Sequence, residues 1–266
     1  ERMRGRDVTL AAPLLAAEGL GKSFTGIVAL ENVSLQVDYG ERVGLIGPNG
    51  AGKTTLFNCI HGMLVPDSGT VSLAGHDISK LPVHLRARRG IGRTFQRIEL
   101  FPDSTVRDHL VIADRVRHGE KRFWLDVRRH GTPRPEETQR SDEMLALFGL
   151  SELADEPIER LSLGQGRLVE VARALMTKPR LLLLDEPSSG LDRAEAAALA
   201  STLFDVQQRQ GVAILLVEHD IELVARFTTR CYLLEAGRLR RSGPTAEVMA
   251  SEEMRAAYLG SLPVPT

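Results

Sequence analysis

The sequence is poor in cysteine and carries almost no net charge. Cys59 and Cys231 are its two cysteines, and neither lies in a Cys-x-x-Cys pair or a Cys/His cluster. A structural zinc site would therefore lack ligands, and a reducing compartment is the simplest interpretation. The formal net charge of −1 gives no overall field that attracts nucleic acid or an acidic membrane, so we expect no nucleic-acid partner.

Long apolar segments are also missing. The apolar runs at residues 181–184 and 212–217 are far shorter than the roughly 20 residues that cross a bilayer. We expect neither a membrane-spanning helix nor a secretory segment before the fold. The 266 residues, 42% of them hydrophobic, suffice for one elaborated domain or two closely packed subdomains.

A phosphate-binding loop is the most specific local motif. Gly47 is followed, after four intervening residues, by Gly52, Lys53 and Thr54. The backbone of such a loop curls around phosphate oxygens with its N–H groups pointing inward, and a Cβ at Gly47, Gly50 or Gly52 would obstruct that path. Lys53 is predicted to reach the β- and γ-phosphates, and Thr54 to offer its hydroxyl to Mg²⁺.

The segments around this loop support the prediction. Residues 42–46 read as a short buried strand, and residues 53–63 have the apolar spacing of a helix whose N-terminus favours an anion. A chance glycine-rich turn is the alternative, but it does not account for the strand before the loop and the helix after it. We therefore expect a nucleoside triphosphate site.

Phe24 lies shortly before this loop, in a turn predicted for residues 22–26 between strands at residues 14–20 and 29–37. An aromatic ring at this place either packs the turn or offers a flat surface for an adenine ring. The local sequence leaves both roles open.

Arginines cluster between residues 86 and 97, in a predicted short helix followed by a strand. They are Arg86, Arg88, Arg89, Arg93 and Arg97. A run of this kind usually forms a solvated face. The alternative is a docking surface for another protein on the cytoplasmic side of a membrane.

Residues 117–140 differ in composition from the rest of the chain, and we interpret them as part of an insertion. They are rich in basic residues and carry the single tryptophan, in the apolar patch Phe123-Trp124-Leu125. This patch either closes the insertion as a small core or anchors a partner, because tryptophan is enriched at interface hot spots.

Two later helices begin with polar residues. Ser162 and Gly164 precede a helix predicted for residues 166–176, where a plain N-cap and an anion contact fit equally well. Asp192 is an N-cap candidate for a helix predicted at residues 193–208. Local reasoning does not separate capping from ligand binding at Ser162 and Gly164.

Charged and polar residues also follow two predicted buried strands. Asp185 and Glu186 come directly after residues 181–184, and adjacent carboxylates there are costly unless they bind a cation or perform acid–base chemistry. Side chains alternate along a strand, so Asp185 suits the Mg²⁺ shell and Glu186 suits polarising a water. His219 follows residues 212–217 and, at the carboxyl end of a parallel strand, is a candidate γ-phosphate contact.

The order of these motifs resembles that of an ATP-binding subunit of an ABC transporter. The motifs are the phosphate loop, Gln96, the signature-like residues 161–165, Asp185-Glu186, Asp192 and His219. The resemblance covers nearly all of residues 14–260. It implies an α/β P-loop NTPase fold of the ABC-ATPase type, with a RecA-like core of mostly parallel sheet, an antiparallel β subdomain and a helical subdomain.

The resemblance also implies how the chain is divided. A single ATP-binding domain is expected over residues 9–260, with the helical subdomain at about 97–178 and the insertion at about 115–140. Residues 1–8 are expected to be disordered or left over from a fusion, and residues 261–266 to form a loose tail.

Roles for individual residues follow from the same resemblance. Glu186 takes the position of the general base and His219 that of the switch histidine, while Gln96 senses Mg²⁺ and the attacking water at the junction with the membrane subunit. The expected metal-binding residues are Thr54, Gln96 and Asp185. The residues expected to contact ATP are Phe24, Gly47, Asn49, Gly50, Gly52, Lys53, Thr54, Thr55 and, across a dimer interface, Ser162, Gly164, Gln165 and Asp192.

Within the family, the chain looks most like the ATPases of branched-chain amino-acid importers. The similarity lies in residues 93–96, 217–220 and 257–260 and in the insertion. Residues 81–91 are also similar to the lipopolysaccharide-export ATPases. Leu163 departs from the family, which more often has glycine at this third signature position.

The implied cofactors are ATP and Mg²⁺. The implied partners are a second ATP-binding subunit, identical or paralogous, and transmembrane permease subunits, which would place the chain peripherally at the cytoplasmic face of the membrane. A non-transport ABC ATPase is the alternative, but the chain has neither the long coiled coil of repair members nor the second cassette of translation members. The presence of both Glu186 and His219 argues against a regulatory module without turnover.

Overall fold

The structure is a computed structural model and describes residues 12–94, 104–117 and 133–259. Its strands are β1 (Leu15–Phe24), β2 (Ile27–Val37), β3 (Arg42–Ile46), β4 (Ser68–Leu73), β5 (His76–Asp77), β6 (Ile91–Arg93), β7 (Leu181–Asp185), β8 (Ala213–Val217), β9 (Arg230–Glu235) and β10 (Arg238–Pro244). Its α-helices are α1 (Lys53–His61), α2 (Val83–Arg88), α3 (Val106–Arg117), α4 (Pro135–Leu147), α5 (Leu163–Met176), α6 (Arg193–Gln210), α7 (Ile221–Phe227), α8 (Thr245–Met249) and α9 (Glu252–Leu259).

The strands form two sheets. The smaller sheet is antiparallel with the order β2-β1-β4-β5, and the larger has the order β10-β9-β3-β8-β7-β6. Strands β9 to β6 of the larger sheet are parallel, and β10 is antiparallel to β9. The phosphate loop follows β3, Asp185 and Glu186 lie at the end of β7, and His219 follows β8. Because β8 lies between β3 and β7 and the three strands are parallel, their carboxyl ends lie side by side at one edge of the sheet. This mixture of sheets and helices agrees with the predicted fold class.

Both faces of the larger sheet are buried. Along β7, Leu182 and Leu184 belong to a core that includes residues of α5 and α6, whereas Leu181 and Leu183 belong to a core shared with α1 and the antiparallel sheet. A strand that is covered on both faces needs a continuous apolar run rather than an alternating one. The run at residues 181–184 was therefore a correct signal for a central parallel strand.

The hairpin before the phosphate loop is longer than predicted. β1 continues through Phe24, and the two-residue turn Thr25-Gly26, with φ angles of 44° and 88°, leads directly into β2. A turn with two positive φ angles matches the right-handed twist of the paired strands. Phe24 therefore lies at a strand end and not within a loop.

The arginine cluster does not form one surface. Arg86 is fully buried and caps the C-terminal end of α1 by donating to the carbonyl oxygens of Cys59 and Ile60 at 2.7 and 2.6 Å. It also donates to the carbonyl oxygens of Ser79 and Leu81. The bonds to Cys59 and Ile60 satisfy carbonyl groups that the end of α1 leaves without intrahelical partners.

The other members of the cluster are divided between interior and surface. Arg93 is turned into the protein and contacts Asp185, whereas Arg88 and Arg89 are exposed. Neither a single solvated face nor a single docking surface describes the cluster. Arg97 and the apolar patch at residues 123–125 lie outside the described residues.

No helix in the described ranges is both long enough and apolar enough to span a bilayer. Helices α3 to α5 lie between β6 and β7 in the chain, within the range where the helical subdomain is predicted. The proposed division of residues 9–260 stays a prediction.

Candidate active site

The loop between β3 and α1 has a backbone shape that favours glycine. Gly47, Gly50 and Gly52 have φ angles of 150°, 77° and 103°. A Cβ on Gly47 would lie 2.0 Å from the carbonyl oxygen of Leu234, and one on Gly52 would lie 2.5 Å from that of Ala29. A Cβ on Gly50 would have no described residue within 4 Å, so among the described contacts it is the backbone conformation that favours glycine there.

Neighbouring elements hold this loop in place. The turn between β9 and β10 donates the Gly237 N–H to the Ala51 carbonyl at 2.9 Å and accepts the Glu31 N–H at 2.8 Å. The Gly47 N–H donates to the Tyr258 hydroxyl on α9 at 3.1 Å. Sequence reasoning gave Gly237 and Tyr258 no part in the site, although Tyr258 belongs to a stretch that carried the family resemblance.

Lys53 is turned into the loop. It is 6% exposed, and its Nζ donates to the carbonyl oxygens of Gly47 at 2.6 Å and Pro48 at 3.0 Å. Burial lowers the pKa of the Lys53 ammonium, while the nearby Glu186 and Asp185 carboxylates oppose that shift. A positive charge therefore lies where the loop motif is expected to hold phosphate oxygens.

Asp185 ends β7, and one of its carboxylate oxygens has no hydrogen-bond partner among the described residues. The residue is 1% exposed, and its Oδ2 accepts a hydrogen bond from Arg93 Nη2 at 2.9 Å. Burial raises the pKa of the Asp185 carboxyl group, and Arg93 acts in the opposite direction. That oxygen is Oδ1, which is buried and accepts no hydrogen bond from the part of the chain that the structure describes. Such an atom is rare in a native structure and suits a cation or its water shell.

Glu186 and His219 meet at the ends of β7 and β8. Glu186 Oε1 lies 2.5 Å from His219 Nε2, and the two side chains are 22% and 43% exposed. Glu186 has a φ angle of 50°, which is uncommon for a residue other than glycine. Backbone strain of this kind is found preferentially at functional sites. Both side chains are therefore accessible to water, and the backbone of Glu186 is held in an uncommon conformation.

Glu218 is a site residue to which sequence reasoning gave no role. It is 2% exposed, and its carboxylate accepts the N–H groups of Ser188 at 2.8 Å and His219 at 3.0 Å. One buried carboxylate thus fixes the backbone two residues after Glu186 and at His219 itself. An acidic residue directly after a predicted buried strand was the signal that could have found it.

Ser162 and Gln165 form a capping box at the start of α5. The Gln165 N–H donates to the Ser162 hydroxyl at 3.2 Å, and the Ser162 N–H donates to the Gln165 side-chain oxygen at 2.9 Å. This cap starts the helix at Leu163, three residues before the start at residue 166 that the sequence predicted. Ser162 is exposed, so its contact with an anion from a second subunit stays a prediction.

Leu163 and Gly164 fit closely against residues 188–195. A Cβ on Gly190 would lie 2.3 Å from Leu163 Cδ2, and a Cβ on Gly164 would lie 2.7 Å from Glu195 Oε1. The φ angle of Gly190 is 82°. The leucine in place of the usual glycine is therefore accommodated by a glycine on the facing loop.

The remaining predicted contacts lie at or near the surface. Phe24 is 41% exposed. Asp192 caps α6 by accepting the N–H groups of Ala194 and Glu195 at 2.7 and 2.8 Å. Within the phosphate loop and the start of α1, the exposed residues are Asn49, Gly50 and Thr54, and Thr55 is half-buried.

The donor set fits a nucleoside triphosphate and a divalent cation. The backbone of the glycine-containing loop, the Lys53 ammonium and the N-terminus of α1 all favour a bound phosphate group. Asp185 Oδ1, which has no hydrogen-bond partner in the described ranges, and the Thr54 hydroxyl are oxygen donors of the kind that divalent cations take. Gln96, the third predicted metal-binding residue, lies outside the described residues.

Comparison with known proteins agrees with this geometry. The ABC transporter family model matches residues 30–189. LivG of Salmonella typhimurium, a high-affinity branched-chain amino acid transport ATP-binding protein, is 36% identical over 94% of this chain and 99% of its own length. LptB of Haemophilus influenzae, a lipopolysaccharide export system ATP-binding protein, is 36% identical over 93% of this chain and 97% of its own length.

Two solved structures are also similar. The ADP conformation of MJ1267, an ATP-binding cassette of an ABC transporter, matches with a TM-score of 0.83 and 30% identity over 94% of this chain and 100% of its own. The dimeric, post-hydrolysis structure of the cassette MJ0796 bound to ADP and Pi matches with a TM-score of 0.74 and 27% identity over 87% of this chain and 98% of its own. The chain therefore belongs to the ABC transporter family, as an ATP-binding and ATP-hydrolysing subunit.

Proposed function

We propose that this chain powers the import of branched-chain or related amino acids through a separate membrane permease. The proposal rests on the 36% identity to LivG over 94% of the chain, taken together with the importer-like stretches at residues 93–96, 217–220 and 257–260. Three stretches that resemble that group of ATPases contribute to the site through Arg93, His219 and Tyr258. The importer resemblance thus extends to residues that shape the nucleotide site.

In this proposal two subunits, identical or paralogous, close around two ATP molecules. The loop N–H groups and the Lys53 ammonium neutralise the phosphates, and Phe24 stacks on adenine. Thr54, Asp185 and Gln96 hold Mg²⁺. Bound Mg²⁺ supplies further neutralisation of charge on the β- and γ-phosphates.

Glu186 is proposed as the general base. Its contact with His219 orients the carboxylate at the edge of the site, where it can accept a proton from a water in line with the γ-phosphate. His219 is proposed to contact the γ-phosphate. Because phosphoryl transfer asks for little covalent chemistry from the protein, positioning and electrostatic stabilisation account for most of the catalysis.

The signature stretch is proposed to contact ATP that is held by the second subunit. Ser162 is exposed and Leu163 is 50% exposed, so the start of α5 is accessible to another chain. The dimeric MJ0796 structure supports pairing of cassettes. Gly164, Gln165 and Asp192 belong to the same proposed interface.

Transport subunits are proposed to hold the chain at the cytoplasmic face of the membrane, through the surface near Gln96. Closure and reopening of the ATP-bound pair would drive the permease. The same proposal treats residues 9–260 as one ATP-binding domain with a helical subdomain near residues 97–178.

Lipopolysaccharide export is the second candidate function. LptB is also 36% identical, over 93% of this chain, so sequence identity alone does not separate the two. A subunit that contacts ATP and permease but not the cargo carries little information about the cargo. The permease decides between these functions.

The test is to purify the chain in mild detergent together with its membrane partner and to identify that partner by mass spectrometry. We expect the partner to stimulate ATP hydrolysis and, in vesicles, to support ATP-dependent uptake of labelled leucine, isoleucine or valine. Release of lipopolysaccharide instead would favour the second candidate. Hydrolysis without any membrane partner would contradict both.

The Glu186→Gln variant tests the assignment of the general base. It is expected to bind ATP and to accumulate as a closed dimer, with hydrolysis reduced at least about a hundredfold. Glu222→Gln is the matched control, because Glu222 is an exposed carboxylate on α7 that pairs with Arg193. Hydrolysis at the wild-type rate by Glu186→Gln would show that another group is the base.

A further inference from the structure

The C-terminal helix α9 reaches the phosphate loop through one hydroxyl group. The Tyr258 hydroxyl accepts the Gly47 N–H at 3.1 Å. Gly47 is the first residue after β3, and its carbonyl oxygen accepts the Lys53 ammonium at 2.6 Å. Gly47 is therefore held at its N–H by α9 and at its C=O by the lysine proposed to bind phosphates.

Gly47 has little freedom to adjust if this hydroxyl is lost. A Cβ at this position would lie 2.0 Å from the Leu234 carbonyl oxygen, so β9 closes one side of the residue. Gly47 is buried, and a buried N–H that loses its partner carries the full cost of desolvation. Without the hydroxyl, the start of the loop must either move or keep an unsatisfied N–H.

The position of the hydroxyl is well defined, because α9 is anchored in the core. Met254 and Ala257 are each 6% exposed and belong to the same core cluster as Ile46, the residue before Gly47. Burial raises the pKa of the Tyr258 phenol, so its hydroxyl is neutral near pH 7. A neutral phenol accepts a hydrogen bond without adding charge beside the phosphates.

We propose that Tyr258 is a positioning residue for ATP binding: by fixing Gly47 it holds the carbonyl group that orients Lys53, and it makes the C-terminal helix part of the nucleotide site. Reciprocity then requires that bound nucleotide stabilises the docked state of α9. The inference rests on the proposed ATP site, and it adds to that site an element about 200 residues away in sequence.

The Tyr258→Phe variant is the direct test, and Tyr232→Phe is its matched control. The Tyr232 hydroxyl also accepts a backbone N–H at 3.1 Å, but that N–H belongs to Gln36 on β2 and not to the phosphate loop. We expect Tyr258→Phe to raise the Kd for ATP about fivefold to tenfold while kcat at saturating ATP changes less than about twofold. Tyr232→Phe should leave both constants within about twofold of wild type.

Two results would overturn the inference. One is a Kd within about twofold of wild type for folded Tyr258→Phe, and the other is an equal rise in Kd for both variants, which would indicate general destabilisation. Lys53→Ala separates this failure from failure of the ATP site itself. If Lys53→Ala binds ATP like the wild type, the proposed site is wrong whatever Tyr258 does.

Hydrogen exchange of the wild-type protein gives a second test that needs no variant. Adding ADP is expected to slow exchange in residues 252–259 at least about twofold, together with protection of the phosphate loop. Protection of the loop with unchanged exchange in residues 252–259 would contradict the coupling.

Discussion

Arg93 and Asp185 form a buried ion pair between the neighbouring strands β6 and β7. Arg93 Nη2 lies 2.9 Å from Asp185 Oδ2, and the two side chains are 6% and 1% exposed. Arg93 also donates to Asn58 Oδ1 on α1 at 2.7 Å, and its guanidinium lies 5.2 Å from the centre of the Phe57 ring. The arginine therefore connects the helix behind the phosphate loop to the carboxylate proposed to hold Mg²⁺.

Removing this arginine should strongly destabilise the protein. In Arg93→Met the Asp185 carboxylate stays buried without its cationic partner, and breaking a buried pair from one side typically costs about 3 kcal/mol or more. We expect a loss of that size in the free energy of unfolding. Urea denaturation in buffer without Mg²⁺ measures it.

Two further variants test whether the loss in Arg93→Met comes from the buried pair with Asp185. Arg193→Met breaks the exposed pair with Glu222, whose side chains are 84% and 45% exposed, and should not measurably shift the urea midpoint. The double variant Arg93→Met/Asp185→Asn should be more stable than Arg93→Met alone, because it removes the uncompensated charge. Additive losses in the double variant would show that the two residues do not interact.

Glu218 should affect turnover more than ATP binding. Its carboxylate accepts the backbone N–H groups of Ser188 and His219, so Glu218→Ala releases the chain on both sides of the Glu186–His219 contact. Small displacements of catalytic groups can cost large factors in rate, and we expect kcat to fall about tenfold or more. The Kd for ATP should change less than about threefold, since the phosphate loop is untouched.

The half-buried Glu235 of β9 gives the control for Glu218. Glu235 pairs with Arg240, and Glu235→Ala removes a carboxylate of the same size from a partly exposed place. Its kcat should equal that of the wild type. If Glu218→Ala turns over normally, the backbone near His219 is held by other contacts and the proposed clamp has no role in hydrolysis.

The sequence indicated a candidate site where a motif combines residue type with spacing. The phosphate loop was recognised because glycines at fixed intervals are required by positive φ angles and by nearby carbonyl groups, as at Gly47 and Gly52. Asp185 and Glu186 were selected because carboxylates at the end of a buried strand are energetically costly unless they bind a cation or take part in catalysis. These signals are local, so one sequence is enough to show them.

The supporting contacts could not be predicted in the same way. Arg86 and Arg93 looked like members of a surface cluster, but tertiary contacts bring the first to the end of α1 and the second to Asp185. Tyr258 meets Gly47 across 211 residues of sequence. A pairing of this kind depends on how the C-terminal helix docks, and nothing in the local pattern specifies that docking.

Leu163 and Gly190 should behave as a size-matched pair. A Cβ on Gly190 would overlap Leu163 Cδ2, so Gly190→Ala should lower ATPase activity by turning the half-exposed Leu163 side chain away from the facing loop and changing the surface of the signature stretch. Adding Leu163→Gly removes the overlap. The ATPase rate of the double variant should therefore be at least about threefold higher than that of Gly190→Ala alone. ATPase rates of the two single variants and the double variant measure the coupling.

Part of the effect of Gly190→Ala comes from its φ angle of 82° and will not be rescued. Gly211→Ala estimates that part, because Gly211 has a φ angle of 64° and a Cβ there would have no atom of the described residues within 4 Å. Both alanine variants should therefore lose stability, by about 1 kcal/mol from strain. Failure of Leu163→Gly to raise the activity of Gly190→Ala would mean that steric overlap is not the cause.

His61 should make the protein less stable as the pH falls from neutral. It is 5% exposed at the end of α1, and burial, together with the charges of Arg93 and Arg86, lowers its pKa from 6.5 to about 4. Between these values the unfolded chain binds a proton that the folded chain does not. The free energy of unfolding therefore decreases with decreasing pH through this window, by about 2 kcal/mol between pH 7 and pH 5.

The His61→Gln variant should flatten this pH dependence, measured as urea midpoints between pH 7 and pH 5. Some slope will remain, because burial also lowers the pKa of His109 on α3. His84→Gln removes an exposed histidine on α2 and should leave the slope of the wild type unchanged. An equal slope in His61→Gln and the wild type would show that His61 takes up its proton at the same pH in the folded and unfolded chains, so that its burial among the arginines has no effect on acid stability.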